Sequence, residues 1–324
     1  MSKARSQLLE ALESVSKVCD SDLVRTSSSA KGGSMNVASI VCKGLMVASF
    51  NAFESFVESR WAELLNREYT TKYGFQNLPE KTQVKMLRNV ISVLGRYHFR
   101  DDLGGFRTQL GELGHFFEHV NNDGGYIHPF VGRWKGSNIT SSELVDGLKC
   151  FHVDNPWESM QWLYDVVIAS SASADGFRVC DAFNSVVSQR HIAAHQMDKR
   201  ITRLELSDVP RSLRHIAFCF DVLASTAVYL MCDGRSDYYS NDKYVTTSIF
   251  DSFWEISELD KGFAAYLRRD LSSGSRSCRG SSRARKKEQE REAIREWVQK
   301  KRSGLQFIVE FSSSGSLSSW ETAL

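Results

Sequence analysis

The stretch SQRHIAAHQ, residues 188–196, carries an arginine and two histidines within six positions. Arginine keeps its charge in proteins and binds phosphate oxygens through a planar fork, and histidine exchanges a proton near neutral pH. RNA brings its own nucleophile, the 2′-hydroxyl, so cleavage without a metal needs only a base, an acid and a cation for the charge that develops on the phosphate. The candidate catalytic residues are therefore Arg190, His191 and His195.

The spacing of these residues predicts a two-fold assembly. On a helix, His191 and His195 are four positions apart and share a face. Arg190 and His195 are five apart, about 140° around the axis, and do not. A second copy of the helix, packed antiparallel about a two-fold axis, would bring another set of the same groups to face the first, so we expect a homodimer. The alternative is that the arginine and the histidines only pack at an interface.

Apolar residues at helical spacing surround this motif and predict a mainly helical chain. The motif helix is predicted over residues 173–197, with an apolar stripe of Cys180, Phe183, Val187 and Ala194. No convincing set of strands precedes residue 240, so the predicted fold class is all-α, an up-and-down helical bundle. The other predicted helices cover residues 6–18, 37 to about 68, 79–97, 106–120, 141–150, 156–169 and 207–231.

Three regions of the chain are predicted. Residues 1–34 form an N-terminal helix and a linker rich in small residues, residues 35–232 form the bundle, and residues 233–324 form a basic, helical C-terminal extension. Within the extension, SIFDSFWEISELDKGFAAYLRRDL is predicted as a helical pair and LQFIVEF as a short strand or docking segment. The final SSSGSLSSWETAL has the composition of a tail.

The motif RHIAAH resembles the signature of the HEPN superfamily, an arginine, a polar residue, a few variable residues and a histidine. The long helix before it, VASFNAFESFVESRWAELL, and the helix after it give an order similar to the RiboL-PSP and MAE-type branches. The resemblance covers residues 37–231. It implies a HEPN-like bundle, a symmetric dimer and a metal-independent endoribonuclease whose products end in a 2′,3′-cyclic phosphate and a 5′-hydroxyl. Arg190 and His195 would be the essential pair, with His191 at the polar position.

Such proteins often act as toxins or in defence against phage, so the resemblance also implies an antitoxin or an activating protein as a further partner. Seven scattered cysteines without CxxC spacing, and no apolar segment of a signal peptide, favour a cytoplasmic protein with reduced thiols. The most apolar run, residues 216–232, contains Asp221 and is predicted as a buried helix, so no membrane association is expected.

A basic segment over residues 276–302 is the candidate RNA-binding region, because clustered cations bind the phosphates of a nucleic acid backbone. An equally weighted alternative is a solvated helix whose glutamates pair with lysine and arginine. The named candidates are Arg283, Arg285, Lys286, Lys287, Lys300 and Lys301.

Two alternatives compete with the ribonuclease hypothesis. HFFEH, residues 115–119, has the inverted zinc-protease pattern, but no third ligand stands out, so no metal and no cofactor are predicted. Glu54 and Glu58 share a face of the central helix, where they either orient the histidines or form a polar stripe paired with arginines.

The second class of function is a non-catalytic helical protein that binds nucleic acid or a protein partner through its basic segment, within a defence or toxin–antitoxin complex.

Overall fold

The structure is a computed structural model in which ten helices precede a small sheet in the described part of the chain. The described residues are 2–25, 37–65, 75–94, 103–122, 125–134, 138–169, 176–196, 198–233, 238, 245, 253–259, 262–268, 276–279, 294–296, 298–299, 306–314 and 316–321. The helices are α1 (Lys3–Cys19), α2 (Asp22–Arg25), α3 (Val37–Leu64), α4 (Glu80–Leu94), α5 (Leu103–Asn121), α6 (Ser141–Lys149), α7 (Pro156–Leu163), α8 (Val179–His195), α9 (Arg203–Ser207) and α10 (Val209–Asp233).

The helices predicted before residue 240 are confirmed, with ends that differ by a few residues from the predicted ones. Helix α7 continues as a π-helical turn, Tyr164–Ala169, and Phe75–Asn77 and Pro129–Gly132 form short 3₁₀ turns. Local chemistry explains where α6 begins, since Thr140 and Glu143 form a reciprocal capping box that satisfies backbone N–H groups at its start. The chain is thus mostly helical, as the predicted fold class requires.

Helices α3 and α10 form the centre of the core. The phenylalanines of α3 at positions 50, 53 and 56 are buried, and α10 is buried around nearly its whole circumference. Both helices are long and apolar enough to cross a membrane, but the most apolar window of α10 is 89% buried inside the protein and that of α3 is 50% buried. The run over residues 216–232 is therefore a buried core helix, as predicted.

The face of α8 that enters the core is rotated relative to the predicted one. Its buried residues are Val179, Phe183, Val186 and Ala193, whereas Ala194 is exposed and Cys180 and Val187 are half-buried. A shift of one position rotates a helix face by about 100°. The small and apolar residues of α8 lie on several sides, so their pattern alone did not select the right face.

The C-terminal region holds a five-stranded sheet instead of the predicted helical pair. Its strands are β1 (Phe253–Leu259), β2 (Gly262–Arg268), β3 (Arg276–Arg279), β4 (Phe307–Phe311) and β5 (Leu317–Glu321), in the spatial order β3-β2-β1-β4-β5. Strands β1 and β4 are parallel, and the other neighbouring pairs are antiparallel.

Three predictions for this region have different outcomes. The helical pair is wrong, because FWEISEL and GFAAYLR are rich in aromatic and branched residues and pair as a hairpin in which Leu259 faces Gly262. The strand in LQFIVEF is confirmed as β4, with all five residues buried. The last segment is not a tail, since it forms β5 and buries Trp320 completely.

Strand β5 is attached to the helices through a buried ionic cluster. The indole N–H of Trp320 donates to Oδ2 of Asp221 on α10 at 2.7 Å. The same carboxylate accepts from Nε of Arg5 on α1 at 2.9 Å and from Nε of Arg60 on α3 at 2.7 Å. Contacts therefore cross both predicted region boundaries, from the N-terminal helix to the bundle and from the bundle to the C-terminal region.

Candidate functional site

Helix α8 carries the predicted catalytic residues in its last two turns. Arg190 is half-buried, and its Nη2 donates to Oδ1 of Asn138 at 2.5 Å. Asn138 lies in the short segment before α6, outside the motif. The Nε of Arg190 is buried and has no hydrogen-bond partner among the described residues. The guanidinium is thus anchored at one nitrogen and keeps a donor for another acceptor.

A second contact fixes the segment that holds Arg190. Oε1 of Glu54, on α3, accepts from the backbone N–H of Ile139 at 2.6 Å. Burial raises the pKa of the Glu54 carboxyl, and this backbone hydrogen bond and the charge of Arg190 act in the opposite direction. Glu54 therefore holds the residue next to Asn138, and its carboxyl is close enough to Arg190 for the guanidinium charge to affect its pKa.

The two imidazoles of the motif lie on the solvent side of α8. His191 and His195 are both exposed, and their ring centroids are 4.9 Å apart with an angle of 49° between the planes. They share a face, as their spacing of four predicts. Arg190 faces the segment at Asn138 instead, as its spacing of five from His195 requires.

The end of α8 is held by a buried lysine of α3. Nζ of Lys43 donates to the backbone carbonyl of Gln196 at 2.7 Å, and only 7% of Lys43 is exposed. A cation at this position is favourable, because the last carbonyl groups of a helix carry partial negative charge. This contact fixes the position of the turn that carries His195.

Large apolar side chains are exposed on α3 and α9. Val37 and Ile40, in the first turn of α3, are 63% and 55% exposed, and they lie within two turns of Lys43. Leu204, on α9, is 76% exposed, and α9 packs against α3. We call Val37, Ile40 and Leu204 the exposed apolar residues of α3 and α9. Association that buries such side chains removes apolar surface from water.

The other sequence candidates have separate positions. Glu58 pairs with Arg133, in agreement with the interpretation of this glutamate as part of a polar stripe paired with arginines. His115 and His119 contact each other through Nε2 atoms 3.1 Å apart. In the described ranges, no group of three or more His, Cys, Asp or Glu side chains is arranged to hold a metal ion.

The predicted RNA-binding cations remain a prediction. Arg283, Arg285, Lys286, Lys287, Lys300 and Lys301 lie outside the described residues. The start of the basic segment is strand β3, and residues 294–296 and 298–299 are helical, so the segment is not one continuous helix.

Two residues that sequence reasoning missed contribute to the site. Asn138 stands in the stretch KGSNIT, whose composition is typical of a loop, and nothing in its spacing relates it to Arg190, 52 positions later. Lys43 lies in an apolar helix, where a lone lysine between small residues was the only available signal. No family model, curated protein or solved structure matches the chain.

Proposed function

We propose that the protein is a metal-independent endoribonuclease of the HEPN type. The observation that supports this most is the end of α8, where two exposed imidazoles contact each other and the arginine five positions before His195 is held by Asn138. These are a proton donor and acceptor and a cation that binds phosphate, in reach of solvent. The function in the cell would be that of a cytoplasmic toxin or defence effector, restrained or activated by a partner protein.

In this mechanism an imidazole, that of His195, removes the proton of the 2′-hydroxyl while the 2′-oxygen forms a bond to phosphorus. The bond from phosphorus to the 5′-oxygen breaks, and that oxygen receives a proton from an imidazolium. His191 or the partner copy's equivalent of His195 would serve as this acid. Arg190 would stabilise the negative charge that builds on the non-bridging oxygens. The products are a 2′,3′-cyclic phosphate and a 5′-hydroxyl.

A homodimer would complete the site. Because Arg190 and the imidazoles are on different sides of α8, one phosphate reaches both kinds of group more easily when two copies of the helix face each other. The exposed apolar residues of α3 and α9 are compatible with this arrangement, because burial of Val37, Ile40 and Leu204 against a second copy would remove apolar surface from water.

The test is cleavage of cellular RNA by the purified full chain and by two variants. His195→Ala and Arg190→Ala should each reduce the cleavage rate by at least about 100-fold, the contribution typical of a general acid or base or of a charge-stabilising donor. His195 is exposed and Arg190 is only half-buried, so the helical fold should persist in both variants. Full activity of both variants would refute the proposal and favour a non-catalytic binding protein.

A further inference from the structure

A second cationic site lies away from α8, in a cleft between the start of α4 and the end of α6. The cleft has a volume of about 280 Å³. Three lysines line it, Lys81 and Lys85 one turn apart on α4 and Lys149 at the end of α6. None of its lining residues belongs to α8, so it is distinct from the candidate catalytic site.

Lysines outnumber carboxylates around this cleft, by three to one among its lining residues. Lys85 and Lys149 are half-buried and Lys81 is exposed, and none of the three ammonium groups has an ion-pair partner among the residues for which the structure is described. One carboxylate, that of Asp154, lines the same cleft. Three like charges around one concave surface repel one another, so an anion that enters the cleft lowers the electrostatic energy.

The backbone of the cleft is held in an unusual conformation. Of the described residues other than glycine, only His152 and Asn155 have a positive φ, 57° and 40°, and both line this cleft. Nε2 of His152 lies 2.5 Å from Oγ1 of the buried Thr82, and its ring packs on Tyr238. Residues in the left-handed region persist only where their surroundings hold them, and they concentrate at sites of function.

We propose that this cleft binds a phosphate group. A phosphate offers up to two negative charges and three acceptor oxygens, which suit a concave surface lined by several lysines. The phosphate is that of a free nucleotide or that of an RNA strand. If the phosphate belongs to an RNA strand, the inference rests on the proposed ribonuclease function. Helix α6 then links the two sites, because Asn138 precedes this helix and Lys149 ends it. A nine-residue helix is about 13 Å long, so a mononucleotide is too short to occupy both sites.

Calorimetry on the full chain tests the inference with two probes, adenosine 5′-monophosphate and a short 2′-O-methyl RNA that lacks the internal nucleophile. The variants are Lys85→Gln, Lys149→Gln and their combination. The matched control is Lys17→Gln, which removes the same charge from an exposed lysine on α1. The combined variant should weaken binding by about tenfold or more, the effect of losing one charged hydrogen bond or more, and the control should bind like the wild type.

The outcomes separate the sources of the phosphate. Binding of the mononucleotide that is lost in the combined variant assigns the cleft to a free nucleotide. Binding of the RNA alone, with a weaker salt dependence in the combined variant, assigns it to the strand. If the wild type binds neither probe at millimolar concentration, or if Lys17→Gln weakens binding as much as the combined variant, the inference is wrong. Because neither probe is cleaved, a failure of the proposed ribonuclease activity leaves these results unchanged.

Discussion

At the scale of single residues, the orientation of Arg190 depends on neighbours that have no place in the motif. A free arginine side chain samples many rotamers, and fixing it costs about 2 kcal/mol of conformational free energy. The hydrogen bond to Asn138, and the contact of Glu54 with Ile139, supply this order in the protein itself, without a bound ligand. Such preorganisation matters in catalysis, because a displacement of about 1 Å can reduce a rate about 100-fold.

We therefore expect Asn138→Ala to lower kcat about 10- to 100-fold with a smaller effect on KM, because Arg190 loses its anchor. Asn138→Asp keeps an acceptor for the guanidinium and should restore most of the rate. The matched control is Asn184→Ala, at an exposed asparagine on α8, the helix that carries Arg190. Single-turnover cleavage assays measure these rates, and equal losses in the Ala and Asp variants would show that Asn138 does not act through Arg190.

At the scale of elements, the sheet and the helices are joined through the carboxylate of Asp221. Burial alone would raise the pKa of this group, but Arg5 and Arg60 outweigh burial and hold the pKa well below its ordinary value. Ser225 and Trp320 complete the hydrogen bonds of the two oxygens. A fully paired carboxylate of this kind specifies how α1, α3, α10 and β5 meet.

Asp221→Asn should destabilise the fold by about 3–5 kcal/mol at pH 7, because it leaves two buried guanidinium groups without their counter-charge. Folding lowers the pKa of this carboxyl below 3.8, its value in the unfolded chain. The carboxylate therefore stabilises the folded protein fully at a pH above 3.8, and this contribution is lost as the pH falls below 3.8. The difference between wild type and variant should thus be about 1 kcal/mol smaller at pH 3. Urea unfolding measures this difference in unfolding free energy, and Asp198→Asn, at an exposed aspartate, is the control. A difference that does not change with pH would contradict the lowered pKa of Asp221.

The helices before residue 240 and strand β4 were predictable from sequence, and the other strands were not. Helices α1, α3 and α10 carry apolar residues every three or four positions over many turns, a pattern that a strand does not produce. Strands β1 and β2 are seven residues each and mix aromatic with charged residues, so a short window fits either period. Strand β5 is serine-rich, and only its burial against α10 shows that Trp320 belongs to the core.

Of the site, the sequence predicts the groups on α8 but not their supports. The spacing of His191 and His195 is sufficient to place them on one face, because helix geometry is local. The partner of Arg190 depends on how the segment before α6 packs against α3, which is a tertiary contact between residues far apart in the chain. The basic cleft was missed for the same reason, since its lysines come from two separate helices.

At the scale of the whole molecule, the proposed enzyme is a dimer whose two copies of α8 form one catalytic site. The exposed apolar residues Val37 and Ile40 lie in the first turn of α3, the helix whose Lys43 holds the end of α8. A charge introduced there should prevent association, because a buried carboxylate without a partner is costly.

Ile40→Glu should convert a dimer to a monomer and reduce cleavage at least about tenfold, since a monomer presents Arg190 and His195 on different sides of the helix. The control is Ile91→Glu, on α4, where the native side chain is 58% exposed, against 55% for Ile40. Sedimentation velocity at micromolar concentration measures the assembly. A fully active monomer, whether wild type or variant, would contradict the dimeric site.

The most direct test of the ribonuclease proposal is an analysis of the ends of the cleaved RNA, with EDTA present throughout. The proposed mechanism predicts that cleavage continues and that the products carry 2′,3′-cyclic phosphate and 5′-hydroxyl ends, because the attacking group is the 2′-hydroxyl of the substrate. A 2′-O-methyl group at the cleaved position should prevent the reaction. Products with 5′-phosphate and 3′-hydroxyl ends, or cleavage that stops when EDTA removes metal ions, would contradict the roles proposed for Arg190, His191 and His195.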